Sequence, residues 1–483
     1  MLELSDPTLL QTGAFIKGIW RADAGAAPVA VHNPATGELI AEVSGVDRNT
    51  TIEAIDAAEA VQAEWAATPA KERAAILRKW YELCVENADD LARILTAEQG
   101  KPLPEARGEI LYGAAFFEWF AEEGKRVYGE TIPAPDRQRR LSVLKQPIGV
   151  CAAITPWNFP MAMIPRKAAP ALGAGCTMVL KPASATPLSA LALAELARRA
   201  GVPAGVFQVL VGSASVVGEE LATHPTIRKL TFTGSTEVGS HLMAKAAPTV
   251  KKLSLELGGN APVLVFDDAD LETAVAGTIA TKFRNMGQTC VCANRIYAQA
   301  GIYDDYVAAL SEAVSRLRVG NGMEDGVEQG PLIDMNAVAK VSEHIEDAVK
   351  YGARVTTGGA LHELGGSFFQ PTVLADATAE MKIAREETFG PVAPVFRFVD
   401  EAEALREANS TEFGLAAYVF ARDNARVHRV TEALEFGIVG VNTGNFSFEG
   451  APFGGWKLSG VGREGSRHGI DEFLELKYIC TAL

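Results

Sequence analysis

The sequence predicts an α/β protein of two doubly wound parallel-sheet domains, with a small β element beside them. Three observations predict it. From Val143 onward, short apolar runs alternate with amphipathic stretches, the rhythm of strand–helix–strand units. The rhythm runs once to about Glu256 and again from there to about Val441. At 483 residues, the chain is also longer than one typical core, so two or three domains are expected.

Composition narrows the class. Hydrophobic residues at 48% and charged residues at 22% are ordinary for a soluble globular protein. A net charge of −15 opposes a nucleic-acid backbone or an anionic membrane as partner. A small anionic substrate stays open, because a pocket's local charge can oppose the net charge. No apolar run approaches the roughly 20 residues of a membrane helix, and the start, Met1 to Pro7, lacks a signal peptide's basic patch and apolar core. Cys84, Cys151, Cys176, Cys290, Cys292 and Cys480 form no disulfide framework, so a cytoplasmic location is expected.

The elements follow in order. Thr51 to Trp65 and Lys71 to Glu98 read as helices, with Ile76, Leu77, Trp80, Leu83, Cys84 and Leu91 on the apolar stripe. Gly100-Lys-Pro102 breaks the pattern, and Ala106 to Arg126 resumes it with Phe and Trp. Tyr128 to Pro147 reads as a polar hairpin. Strands are expected at Gly149–Thr155, Cys176–Leu180, Val206–Val211 and Arg228–Thr233, with helices at Met161–Leu172, Ser189–Arg199, Ser215–His224 and Thr236–Ala246. The second block opens with Ala261–Phe266 and a helix to Phe283, and closes with Gly437–Val441. The tail, Phe473 to Cys480, alternates like an edge strand. Edges are usually covered, so hairpin and tail are expected to pair with another subunit.

Candidate chemistry collects on the loops. Gly287-Gln-Thr-Cys290 is a polar, flexible setting for a thiol, and a thiol nucleophile with a carboxylate base suffices for acyl chemistry through a thioester. A reactive thiol's pKa is usually lowered by donors or a helix end. Cys292 stands as a disulfide partner, a redox brake or an inert neighbour. No metal is expected, since Cys290-Val-Cys292 lacks two further ligands. Glu256, between Leu255 and Leu257, is expected to be partly buried, which raises a carboxyl towards a general base. Thr155-Pro-Trp-Asn-Phe-Pro160 ends a strand, where ligand crevices form, and Asn158 offers an amide donor to an oxyanion. Lys181 and Ser184 end the next strand, in reach of a nucleotide ribose, and Ser184 does not repel a 2′-phosphate as an acidic residue would. Gly234-Ser235 precedes a helix whose N-terminus suits a pyrophosphate.

Taken together, Thr155-Pro-Trp-Asn-Phe-Pro, Lys181-Pro-Ala-Ser, Phe232-Thr-Gly-Ser, Leu255-Glu-Leu-Gly-Gly-Asn, Gly287-Gln-Thr-Cys, Glu386-Glu-Thr-Phe-Gly-Pro and Pro452-Phe-Gly-Gly resemble the aldehyde dehydrogenase superfamily, in order and spacing, over nearly the whole chain. Within it, Phe283 to Arg295 and Ser254 to Pro262 look most like the succinate-semialdehyde dehydrogenases. The resemblance implies an aldehyde-dehydrogenase-like fold, with Cys290 as nucleophile, Asn158 and the Cys290 N–H as oxyanion donors, and Glu256 activating the hydrolytic water. It implies NADP+ as cofactor, with NAD+ accepted. Lys181 and Ser184 would hold the adenosine ribose and its phosphate, while Thr155, Trp157, Gly234, Ser235 and Leu257 would line the cleft. Glu387 would hold the nicotinamide ribose, with Phe389 beside the ring. Arg166, Arg284 and Ser447 would grip a substrate carboxylate, and arginine's planar fork suits that task.

The domains expected are 1–126 with 148–256 for the dinucleotide, 257–447 for the nucleophile, and 127–147 with 470–483 for assembly into a homodimer or homotetramer. Phe446, Phe448 and Trp456 are bulkier than the resemblance leads one to expect. Succinate semialdehyde is favoured; glutarate semialdehyde and a neutral aldehyde remain alternatives, and a non-catalytic protein on this scaffold is the outlying one.

Overall fold

The computed structural model describes residues 2–483. Five parallel strands form the centre of its larger sheet, in the order Phe207–Val209, Met178–Lys181, Cys151–Ile154, Lys229–Thr233, Lys252–Glu256. Ala14–Ile16 with Ile19–Arg21 flank one edge, and Gly460–Val461 the other, all antiparallel. Along the chain, strand order builds outward from Cys151–Ile154 and then turns back to Lys229–Thr233. A crevice therefore opens beyond the carboxyl ends of these two strands. Thr155–Pro160 and Gly234-Ser235 follow them directly.

The second sheet runs Arg354–Thr357, Thr372–Ala377, Val392–Phe398, Ala293–Gln299, Ala261–Val265, Ala416–Phe420, Ile438–Val441 and is parallel except at Arg354–Thr357. Only residues 257–260 separate Lys252–Glu256 from Ala261–Val265. The carboxyl edge of the first sheet thus meets the amino edge of the second. Cys290 stands at that amino edge, just before Ala293–Gln299. The junction is tight enough to require glycine: a Cβ on Gly259 would lie 2.5 Å from the Cys290 carbonyl oxygen.

Helices cover both sheets. Ala70–Glu86 packs on Leu103–Glu123 through Trp80 and Phe117, whose ring centroids are 4.1 Å apart. Trp80 is fully buried, so truncation to Ala costs about 3–5 kcal/mol.

Four differences from the sequence reading have physical causes. The helix expected from Met161 starts at Pro165, because the Met161 and Ala162 N–H groups donate to Glu109 instead. The segment expected to be helical from Ser215 opens with a π turn, Ala214–Gly218. Four strands lie before residue 47; two are only three residues long, one begins on Gly25 and one carries Gly45, which blurs a two-residue period. Finally, the tail strand Leu474–Ala482 pairs with Arg139–Pro147 of its own chain, and Glu130–Ile132 completes a three-stranded sheet. Leu476 and Tyr478, on one face of that sheet, remain 70% and 59% exposed.

Candidate active site

A cavity of about 310 Å³ lies at the junction of the two sheets. Cys290, Arg166, Arg284 and Ser447 all line it, with Phe159 and Phe453 as apolar walls. Four residues read separately along the sequence thus meet in one hollow. Asn158 and Glu256 are buried beside it, at 7% and 3% exposure, and do not line its wall.

Burial pushes the Cys290 thiol up to about 12, and the Glu387 charge adds to this, while Arg166 and Arg284 pull the other way. Burial thus opposes the lowered pKa usual for a reactive thiol, so reaction calls for a base to take its proton. Cys292 points elsewhere, its Sγ 3.3 Å from Lys282 Nζ, and neither cysteine is in a disulfide.

Glu256 ends its strand with neither carboxyl oxygen hydrogen-bonded. Burial, then the Glu464 charge, raises its pKa well above the ordinary value. Glu464 is itself held by Lys167, whose Nζ also reaches Thr233 Oγ1 at 2.6 Å. Burial alone would raise the Glu464 carboxyl, but the Lys167 and Arg166 charges outweigh it and keep it ionised. Arg166 Nε lies 2.8 Å from Glu464 Oε2 without hydrogen-bond alignment, so that contact is one of charge only. The Arg166 guanidinium also lies over the Phe453 ring, 4.0 Å from its centroid.

Asn158 Nδ2 donates to the Gln288 carbonyl at 2.9 Å, which ties it to the loop that leads to Cys290. On the cofactor side, Thr155 N–H donates to the Lys181 carbonyl, and Thr155 Oγ1 is buried with no partner. Lys181 is 5% exposed, and among the described residues its Nζ donates only to the neighbouring Pro182 carbonyl. Burial lowers its pKa to about 8. A buried cation without a counter-ion fits a phosphate. Ser184 Oγ turns to the Gly212 carbonyl at 3.3 Å. Gly234 N–H donates to the Glu256 carbonyl, and Ser235 caps the helix Thr236–Ala246. Leu257 packs where a Cβ on Gly239 would stand. From the second sheet, Glu387 accepts from Gly259 N–H at 3.1 Å, and burial raises it to about 7. Trp157 and Phe389 meet edge to face at 5.6 Å. These residues suit a dinucleotide across the crevice: a cation, a helix N-terminus and a carboxylate for a ribose.

Phe446, Phe448 and Trp456 do not line the cavity. Phe446 stacks on Tyr418 at 5.3 Å, while Phe448 and Trp456 are 58% and 47% exposed. Sequence reasoning missed Lys101, Glu105, Glu109, Lys167 and Glu464. Lys167 carried a signal, a second cation in the apolar run Met161–Pro170. The others are charges on a helix, at the Gly100-Lys-Pro102 break or in a glycine-rich tail, which sequence reads as solvated surface.

The aldehyde dehydrogenase family model matches residues 20–479. The NADP(+) succinate-semialdehyde dehydrogenase GabD of Escherichia coli (strain K12) is 61% identical, covering 100% of both chains. A glutarate-semialdehyde dehydrogenase of Pseudomonas aeruginosa is 60% identical over 99% of each. The crystal structure of an E. coli NADP-dependent enzyme superposes with a TM-score of 0.99, at 61% identity and 100% coverage of both chains.

Proposed function

The chain belongs to the aldehyde dehydrogenase family, and from that premise we propose that it oxidises succinate semialdehyde to succinate with NADP+, accepting NAD+ as well. In this reading Cys290 Sγ attacks the aldehyde carbon as its proton passes to a base. The Asn158 amide and the Cys290 N–H stabilise the oxyanion. NADP+, when bound, accepts the hydride that leaves the carbon, so that an acyl thioester remains on Cys290. Glu256 then takes a proton from water, which releases the acid. The division of labour follows the sheets: 1–126 with 148–256 bind the cofactor, and 257–447 supply the nucleophile. Lys181 and Ser184 hold the 2′-phosphate, Thr155, Trp157, Gly234, Ser235 and Leu257 line the cleft, and Glu387 with Phe389 seats the nicotinamide end.

The substrate's charge rests on one observation above others. Among the described residues Arg284 forms no ion pair, although it lines the cavity, whereas Lys101 is paired with Glu109 and Arg166 faces Glu464. Burial raises the pKa of Glu105, on the same wall, and its Oε2 accepts the Asn285 N–H. Arg284 is thus the cation left for a substrate carboxylate, with Ser447 as a second donor and Arg166 on the same cavity's lining. Replacing Arg284 with Ala should raise KM for succinate semialdehyde on the order of tenfold to a hundredfold, one charged hydrogen bond's worth. KM for butanal should stay near its parental value, and equal effects on the two would remove the carboxylate role.

Glutarate semialdehyde is the second reading. A cavity of about 310 Å³ leaves room for its additional methylene, and one methylene discriminates by only about 1–3 kcal/mol. We also read the exposed face of the three-stranded sheet, from 127–147 and 470–483, as the contact of a homodimer or homotetramer. A cytoplasmic location accords with six unpaired cysteines.

A further inference from the structure

Asn158 sits on a loop outside both sheets, so bonds from elsewhere must fix its place. Its carbonyl oxygen accepts from Lys101 Nζ at 2.8 Å and from Asn285 Nδ2 at 3.1 Å. The same Asn285 amide lies 3.3 Å from the Gln288 carbonyl, which also accepts from the Asn158 side chain. One amide therefore bridges the Asn158 loop and the loop that leads to Cys290. Its orientation is set in turn: Gln99 Nε2 donates to Asn285 Oδ1 at 2.9 Å, and Gln99 Oε1 accepts the Lys101 N–H at 3.0 Å. Glu109 closes the frame, pairing with Lys101 Nζ at 2.6 Å and accepting from Met161 and Ala162 N–H. Gln99, Lys101, Glu109 and Asn285 are all buried, at 4% exposure or less.

The backbone adds a second observation. Asn285 and Met286 stand in succession at φ 51° and 56°, in the left-handed region. Asn tolerates that region better than most residues, but two in a row store strain that persists only where the surroundings over-determine it.

We propose that Asn285, oriented by Gln99 and supported by Lys101, is a positioning residue that fixes the Asn158 amide relative to Cys290, acting through the Asn158 and Gln288 carbonyls. The inference rests on the reading of Asn158 as oxyanion donor. A donor to a developing oxyanion tolerates little displacement, which gives the bridge its leverage on rate.

Asn285→Gly tests it, because glycine removes the amide yet adopts the left-handed backbone freely. At saturating NADP+, kcat should fall on the order of tenfold to a hundredfold. The rate of Cys290 alkylation by iodoacetamide should stay within about twofold of the parent's, since neither the thiol nor its access changes. In an Asn158→Ala background the same substitution should cause no further loss, because it acts through Asn158. A parental kcat in Asn285→Gly, or a loss that multiplies in full with that of Asn158→Ala, overturns the proposal. If Asn158→Ala itself keeps parental kcat, the oxyanion reading fails and the proposal with it; if only Asn285→Gly does so, the proposal alone fails. Should Asn285→Gly not fold, Gln99→Met, which leaves the amide in place but unoriented, should show the same non-additive loss, and a parental kcat there overturns the proposal equally.

Discussion

At the residue scale, the site's chemistry turns on two acids whose pKa values burial raises. Cys290 is pushed up to about 12 and Glu256 well above an ordinary carboxyl. The sign for activity is direct: a base with a raised pKa is protonated at low pH and gains function as pH rises through that pKa. Deacylation should therefore accelerate as pH rises through the raised Glu256 pKa. Glu256→Gln should retain a burst of NADPH on mixing while steady-state turnover falls on the order of a hundredfold or more, and the pH slope should vanish. Stopped-flow absorbance reads both phases; a variant without the burst would assign Glu256 to acylation instead. The residues of this chemistry were legible as thiol, carboxylate and amide on loops after apolar strands. The rise of Glu256 was legible too, from its apolar neighbours; the charges of Glu464, Lys167 and Arg166 that bear on it were not, because only the fold brings them near.

At the scale of elements, the parallel strands of the first sheet up to Thr233, with Ala261–Val265 and Ile438–Val441, were legible because strands buried on both faces read as short apolar runs. The strands before residue 47 and the start of the helix at Pro165 were not. An edge strand carries no continuous apolar run, and Glu109, far away in sequence, captures the two N–H groups that would otherwise begin a helix turn. The strand Met178–Lys181 shows the functional side of the same logic: it ends on a buried cation, with Ser184 one turn beyond. Ser184→Glu should place a carboxylate beside the 2′-phosphate and lower kcat/KM for NADP+ relative to NAD+ on the order of tenfold or more. Initial rates with both cofactors check this. An unchanged ratio would remove Ser184 from the specificity site.

At the scale of the whole molecule, two sheets meet edge to edge, so that one supplies Glu256 and the crevice while the other supplies Cys290. The sequence rhythm announced both sheets but not that geometry, which follows from the short link 257–260. The three-stranded sheet stands apart and leaves Leu476 and Tyr478 exposed on one face. If that face joins subunits, Leu476→Asp with Tyr478→Asp should lower the mass seen by sedimentation equilibrium to that of a smaller assembly, and an unchanged mass would move the contact elsewhere. The central claim is that the cavity selects an aldehyde by the negative charge at its far end. Its most direct test is the ratio of kcat/KM for succinate semialdehyde to that for butanal, an aldehyde of the same length without the carboxylate, both with NADP+. The free Arg284 predicts a ratio on the order of tenfold to a hundredfold or more; a ratio near unity would contradict it.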